Sequence, residues 1–212
     1  LWWSPDPRTV FHVNDVHVSR RLRRTINKGD YAVTLDLAFE QVIRTCAALR
    51  EDAEGTWLGP EMREAYTELH HQGHAHAIEV WKDKELVGGL YGVARGNVFF
   101  GESMFSTVPD ASKIALVWLA RQLAAWGYEL LDGQVGSDHL YRMGAIDLPR
   151  SKFLKVVRQA ISKPGPSRSS LNAASPGTAC RRRSWSTMAR PGAPVIRKAA
   201  GHPCVSGWRI SV

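Results

Sequence analysis

Apolar and polar positions change period along the chain, and each change marks an element. Residues 17–26 (HVSRRLRRTI) read as a short basic helix, and the β-branched residues 31–35 as a strand. Asp36 stands where an N-cap belongs, ahead of a helix running to about Leu49. Pro60 suits the first turn of the next helix. Met62, Ala65, Tyr66 and Leu69 share one stripe of it, and Gly73 fits its C-terminal cap. The period then drops to two: residues 75–81 alternate, Asp83 and Lys84 turn, and residues 85–94 return as a second strand. A third short strand is expected at 98–101. A long amphipathic helix follows at 112–126, closed by Gly127, then a strand at 128–135, a helical turn at 138–143 and a last helix at 152–162. Hairpin strands followed by helix, strand and helix predict an α+β sandwich, a mainly antiparallel sheet with packed helices.

Charge divides the chain differently. All 20 acidic side chains and 20 of the 28 basic ones fall before Pro164, so the net charge of +8 belongs wholly to the tail. That tail mixes Pro, Gly, Ser and Arg without apolar periodicity, and residues 164–212 are read as a disordered or out-of-frame basic segment. Residues 31–163 are expected to form the main domain, with residues 1–30 as the remnant of a preceding domain and its linker. A chain opening on Leu1 is expected to lack its true amino terminus. Cys46, Cys180 and Cys204 are too few and too scattered for a disulfide scaffold or zinc ribbon. The longest apolar run, residues 114–120, is far short of a membrane span, and no signal peptide is evident. A cytoplasmic protein with no membrane association is expected.

Three groups of residues could carry chemistry. His70, His71, His74 and His76 crowd one corner. The i, i+4 pair His70 and His74 would share a helix face as metal ligands, but Gly73 should end the helix between them. The alternative is imidazoles capping backbone groups, with His74 and His76 partly buried at the strand start. GESMF at 101–105 approaches the nucleophile elbow, with Ser103, Asp132 and His139 in hydrolase order, but Phe105 replaces the glycine the sharp turn needs. The third group is more informative. In YELLDGQV, Asp132 and Gln134 project from one face of an apolar strand, where a buried carboxylate must be hydrogen-bonded or useful. Glu102, following the apolar residues 98–100, is open to the same two interpretations. No phosphate-binding glycine motif for acetyl-CoA, a dinucleotide or a P-loop occurs, and no cofactor is implied.

Several strings together resemble the leucyl/phenylalanyl-tRNA–protein transferases: LWWSPDPR at 1–8, EGTWL at 54–58, GHAHAIEVW at 73–81, LVGGLYGV at 86–93, FFGESMFS at 99–106, ASK at 111–113 and LLDGQV at 130–135. The resemblance implies an acyltransferase-like fold related to the N-acetyltransferases. It also implies a bacterial enzyme that moves Leu or Phe, and less readily Met, from aminoacyl-tRNA to an N-terminal Arg or Lys of a protein, marking it for degradation. By the same resemblance Asp132 and Gln134 accept or orient the amine proton, and Glu102 receives the donor's ammonium or tunes Gln134. Leu90, Met104, Leu116, Leu119, Leu123 and Leu131 would wall the donor side-chain pocket; Leu116, Leu119 and Leu123 alone would read as helix core. Trp57 and Tyr66 are stacking candidates for the terminal adenosine or acceptor peptide. Arg20, Arg21, Arg23, Arg24 and Lys28 fit a phosphate-contacting patch for the acceptor stem, or a solvated helix face. A monomer is expected. Set against the family, the chain is expected to lack the N-terminal domain and the aromatic closing segment, and it carries Gly133 where the resemblance leads one to expect Cys. Two alternatives stand beside transfer: an inactive fragment that only binds aminoacyl-tRNA, and an N-acyltransferase using another acyl donor.

Overall fold

A computed structural model describes residues 4–54, 57–162, 197–198 and 208–210, with side chains described for 4–49 and 57–162. The elements in order are β1 (Arg8–His12), α1 (Arg20–Lys28), β2 (Ala32–Leu35), α2 (Phe39–Glu54), α3 (Pro60–His71), β3 (Ala75–Lys82), β4 (Glu85–Arg95), β5 (Val98–Ser106), α4 (Ala111–Ala125), β6 (Leu130–Gln134), α5 (Asp138–Arg142), β7 (Ile146–Leu148), α6 (Arg150–Ile161), β8 (Arg197–Lys198) and β9 (Trp208–Ile210). They form one sheet in the order β7-β1-β6-β5-β4-β3-β2-β9-β8. The α+β architecture expected from the hydropathy periods is therefore present. Most of the tail lies outside the described residues; β8 and β9 continue the sheet beyond β2.

Adjacent residues on the strands feed opposite faces. Ile78, Val80, Leu90, Phe99 and Leu131 pack with α4 and with Leu22 and Ile26 of α1. Ala75, Ala77, Tyr91 and Phe105 pack on the other face with Phe39, Val42, Ile43 and Cys46 of α2, and Val10, Val98 and Leu130 pack with Phe153 and Ala160 of α6. Residues 8–28, set apart in the sequence reading, thus supply an interior strand and part of the main core. The glycines of β4 permit close packing. A Cβ on Gly88 would lie 2.6 Å from the Ala111 Cβ of α4, and one on Gly92 would lie 2.1 Å from the Phe100 carbonyl oxygen.

Several local expectations are corrected. Asp36 does not cap α2: it sits at φ 57 and its carboxylate takes the Ala77 amide at 2.9 Å and His76 Nδ1 at 2.7 Å. The capping acceptor comes from β3, where Glu79 Oε1 accepts from the Ala38 amide at 3.1 Å. In α3, Met62 and Ala65 are exposed, whereas Tyr66 and Leu69 pack on the core. Gly73, at φ 79, closes α3 as expected, with the His74 amide donating to the Leu69 carbonyl at 2.8 Å. The basic helix is shifted to Arg20–Lys28 and capped by Ser19, whose hydroxyl accepts from the Leu22 amide at 3.2 Å. β5 runs five residues past its expected end, and β1 and β7 were not expected.

Candidate active site

Among the described residues, β5 and β6 make the one parallel pair, with Val98, Phe99 and Phe100 opposite Leu130, Leu131 and Asp132. Beyond Phe100 and Asp132 the two strands part. β5 continues against β4 to Ser106, while β6 stays with β1, where Thr9 faces Gln134. The β4–β5 register places Tyr91 opposite Ser103 and Gly92 opposite Gly101, so Glu102 is the extra residue of a bulge. Bulges re-aim a side chain, and here the re-aimed carboxylate meets the end of β6.

The polar cluster lies in this parting. Asp132 is fully buried, and its Oδ1 and Oδ2 take Arg8 Nε at 3.0 and 3.2 Å, with Arg8 Nη2 on Oδ2 at 2.7 Å. Its Oδ1 also accepts from the Gln134 amide at 2.9 Å. Gln134 adopts φ 64, and its Nε2 donates to the Gly101 carbonyl at 2.8 Å and to Glu102 Oε2 at 3.3 Å. The carbonyl acceptor fixes which end of the Gln134 amide is nitrogen, so Oε1 is the end able to accept from an incoming N–H. Glu102 has its carboxyl pushed up, first by burial; hydrogen bonds from Tyr66 and Gln134 work the other way. The Tyr66 hydroxyl is in turn raised, by burial and then by the Glu102 charge.

An aromatic run extends from there. Tyr66 meets Trp57 edge-on at 6.3 Å and Tyr91 at 5.3 Å, and Trp57 is 48% exposed. The structure therefore brings Glu102, Asp132, Gln134, Tyr66 and Trp57 into one neighbourhood. Leu90, Leu116, Leu119, Leu123 and Leu131 are buried in the main core on the α4 face, with Met104 partly buried against it. Leu119 and Leu123 also line a cavity of about 310 Å³, with Leu35, His74, Phe99, Trp126 and Tyr128. Its lining includes Gly96 in the β4–β5 turn, at the end of the sheet opposite Gln134. Arg20, Arg21, Arg23, Arg24 and Lys28 are exposed on α1, whose buried side is Leu22 and Ile26. Arg21 pairs with Asp110 at 3.1 Å, tying this basic helix to the loop that leaves the far end of β5.

The other motifs resolve into structure. His70 Nδ1 contacts the Ala75 carbonyl at 2.9 Å and its ring stacks on Phe39 at 4.2 Å. His76 is mostly buried against Asp36, whereas His74 is exposed. Ser103 lies within β5, and its buried hydroxyl has no hydrogen-bond partner among the described residues. A serine held this way has no base beside it, so the elbow reading fails. Two side chains escaped the sequence reading. Arg8 lies in the LWWSPDPR string, and its one signal is a lone arginine opening the RTVFH run. Glu79, one position of the alternating 75–81 run, is fully buried.

A clustered carboxylate and amide pair, with no activated serine beside it, suits direct transfer of an acyl group that arrives already activated; the class defined is an acyltransferase. The family model described as leucyl/phenylalanyl-tRNA protein transferase matches residues 10–158. Two relatives bearing that name are similar over most of the chain. The one from Nitratidesulfovibrio vulgaris (strain DP4) is 54% identical over 165 residues, covering 77% of this chain and 70% of the relative. The one from Nitrosomonas europaea is 55% identical over 168 residues, covering 79% and 71%. A GCN5-related N-acetyltransferase from Kribbella flavida is 17% identical with a TM-score of 0.42, covering 68% of this chain and 55% of that one. The chain belongs to the leucyl/phenylalanyl-tRNA–protein transferase family. It is by that membership an aminoacyl-tRNA-dependent transferase with protein acceptors.

Proposed function

We propose that this chain transfers Leu or Phe, and less readily Met, from aminoacyl-tRNA to the N-terminal Arg or Lys of an acceptor protein, as a cytoplasmic monomer that marks its products for degradation. Among the described residues no helix is long and apolar enough to cross a membrane. The observation that carries the proposal is the Glu102–Gln134 contact across the parting of β5 and β6, in a chain of this family.

The chemistry asks little beyond positioning. The acceptor's unprotonated α-amine attacks the ester carbonyl carbon; the carbon–oxygen bond to the terminal ribose breaks, and the amine's proton passes to the departing ribose oxygen. The work left to the protein is to hold the amine in line and stabilise the tetrahedral oxyanion. Gln134 Oε1 orients the amine N–H, because its Nε2 is engaged by Gly101 and Glu102. Glu102 receives the donor's α-ammonium, which offsets the burial that raises its carboxyl. The Leu or Phe side chain is received on the α4 face, where Met104, two residues from Glu102, is the partly buried edge of the core formed by Leu90, Leu116, Leu119, Leu123 and Leu131. Trp57, half exposed over Tyr66, offers a stacking face for the terminal adenosine or the acceptor peptide. Arg20, Arg21, Arg23, Arg24 and Lys28 present the phosphate-contacting surface.

The test is transfer of labelled Leu from Leu-tRNA to a peptide beginning with Arg, with an Ala-initiated peptide as control and Gln134→Ala as the variant. Label confined to the Arg peptide and lost in the variant is expected. Equal labelling of both peptides, or full activity of the variant, refutes the proposal.

A further inference from the structure

We propose that Arg8 is a positioning residue of the transfer site, acting through Asp132 to hold Gln134, and that Asp132 is a bracket and not the acceptor of the amine proton. This rests on the reading of Gln134 and Glu102 as the groups that meet the amine. A carboxylate has about four acceptor sites. Three N–H groups converge on Asp132: the Arg8 Nε–H shared between both oxygens, Arg8 Nη2 on Oδ2 and the Gln134 amide on Oδ1. It has no exposed surface and both oxygens are already engaged, so a substrate amine has no approach to it.

The geometry around it is built to be stiff. Arg8 opens β1, whose strand lies between β6 and β7, and its side chain is 11% exposed. Its guanidinium lies 5.2 Å from the centre of the Phe153 ring of α6, so one plane of the fork rests on an aromatic face while its edge grips the carboxylate. The far side of the bracket is the Asp132 Oδ1 bond to the amide two residues on, the turn type that aspartate side chains support. That bond holds Gln134 at φ 64, a conformation a residue other than glycine keeps only when its surroundings over-determine it. Once the bracket is lost, Gln134 relaxes to an ordinary backbone and its side chain leaves Gly101 and Glu102. Arg8 touches no reacting atom, yet it sets where the amide of Gln134 points.

The experiment compares the full chain with Arg8→Gln, Arg8→Lys, Arg8→Gly and Asp132→Asn, reading kcat and KM for transfer from Leu-tRNA alongside the NMR resonances of the Gln134 side-chain amide. Arg8→Gln is expected to lower kcat by about 100-fold, the scale of a misplaced reacting group, while KM for aminoacyl-tRNA stays nearly constant. Arg8→Lys is expected to recover little, since an ammonium cannot make the planar fork. Added guanidinium ion is expected to restore part of kcat in Arg8→Gly and none in Asp132→Asn. The double variant Arg8→Gln with Asp132→Asn should be no slower than the slower single one. The Gln134 amide resonances should move in every variant, Arg8→Lys serving where Arg8→Gln does not fold. Arg8→Gln retaining full kcat, or Asp132→Asn losing far more rate than Arg8→Gln, overturns the proposal. If the unaltered chain transfers nothing to the Arg peptide, the functional proposal fails by itself. The Gln134 resonances then decide alone: unmoved in the Arg8 variants overturns the bracket, moved sustains it.

Discussion

Glu79 is a carboxyl with no solvent exposure, set in β3 between Thr34 and the first turn of α2. Burial pushes its pKa up from 4.5 to about 8, against the opposing hydrogen bonds from Thr34 and from the Ala38 and Leu37 amides just ahead of α2. The folded chain therefore keeps this proton to about pH 8, while the unfolded chain releases it near 4.5. Within that window the folded state binds more protons, so stability is full below the lower value and falls as pH rises through the upper one. The slope approaches about 1.4 kcal/mol per pH unit, which integrates to a loss on the order of 3 kcal/mol between about pH 5 and about pH 8. Glu79→Gln cannot titrate. Its Oε1 can still accept from the Ala38 amide, and its Nε2 can donate to Thr34 Oγ1, which already accepts from Trp81 Nε1 at 2.8 Å. Urea unfolding of both proteins across this pH range isolates the residue, because every other group contributes equally to the two curves. The variant is expected to lose less stability on going to high pH and to overtake the unaltered chain at the alkaline end. Parallel curves, or a steeper fall in the variant, would refute the reasoning.

Other consequences are simpler to check. Asp132→Asn leaves the Arg8 guanidinium beside a neutral amide and should cost about 3–5 kcal/mol in chemical denaturation, the scale of breaking a buried pair. Gly92→Ala forces a methyl onto the Phe100 carbonyl and should be among the most destabilising single-methyl additions in the chain, read as a fall in melting temperature. Leu119→Ala should cost about 2–5 kcal/mol as a core deletion. If Leu119 also walls the donor pocket, the same variant shifts the ratio of Phe to Leu transfer, whereas an unchanged ratio would leave it as core alone. Arg20→Gln with Arg24→Gln should flatten the salt dependence of aminoacyl-tRNA binding by about 0.7–0.9 log units per lost phosphate contact. An unaltered slope would make that helix face merely solvated.

Long periodic elements were legible because their signal is local. The hairpin of β3 and β4, the α4 helix and its closing Gly127, and the Gly73 cap follow from residues a few positions apart. What escaped depends on distant partners. β1 is five residues long and β7 three, too short for alternation to declare them, and each exists because of its pairing. The capping role expected of Asp36 falls to Glu79 across the β2–β3 pair, since the nearest acceptor in sequence to the start of α2 was not the nearest in space. Asp132, Gln134 and Glu102 could be singled out as polar residues in apolar strands. That Asp132 is gripped by Arg8, 124 residues away, could not be read from spacing.

The position of β1 also sets when the site can exist. The chain's first strand lies between β6 and β7, two of the last body strands to be made, so Arg8 leaves the ribosome long before Asp132 is synthesised. No nascent chain ending before β6 contains both halves of the Arg8–Asp132 grip, and Gln134 gains its hold on Gly101 and Glu102 in the same stretch. A growing chain that already presents the Glu102 bulge and the basic helix therefore still lacks both the Arg8–Asp132 grip and the amide that reaches Glu102.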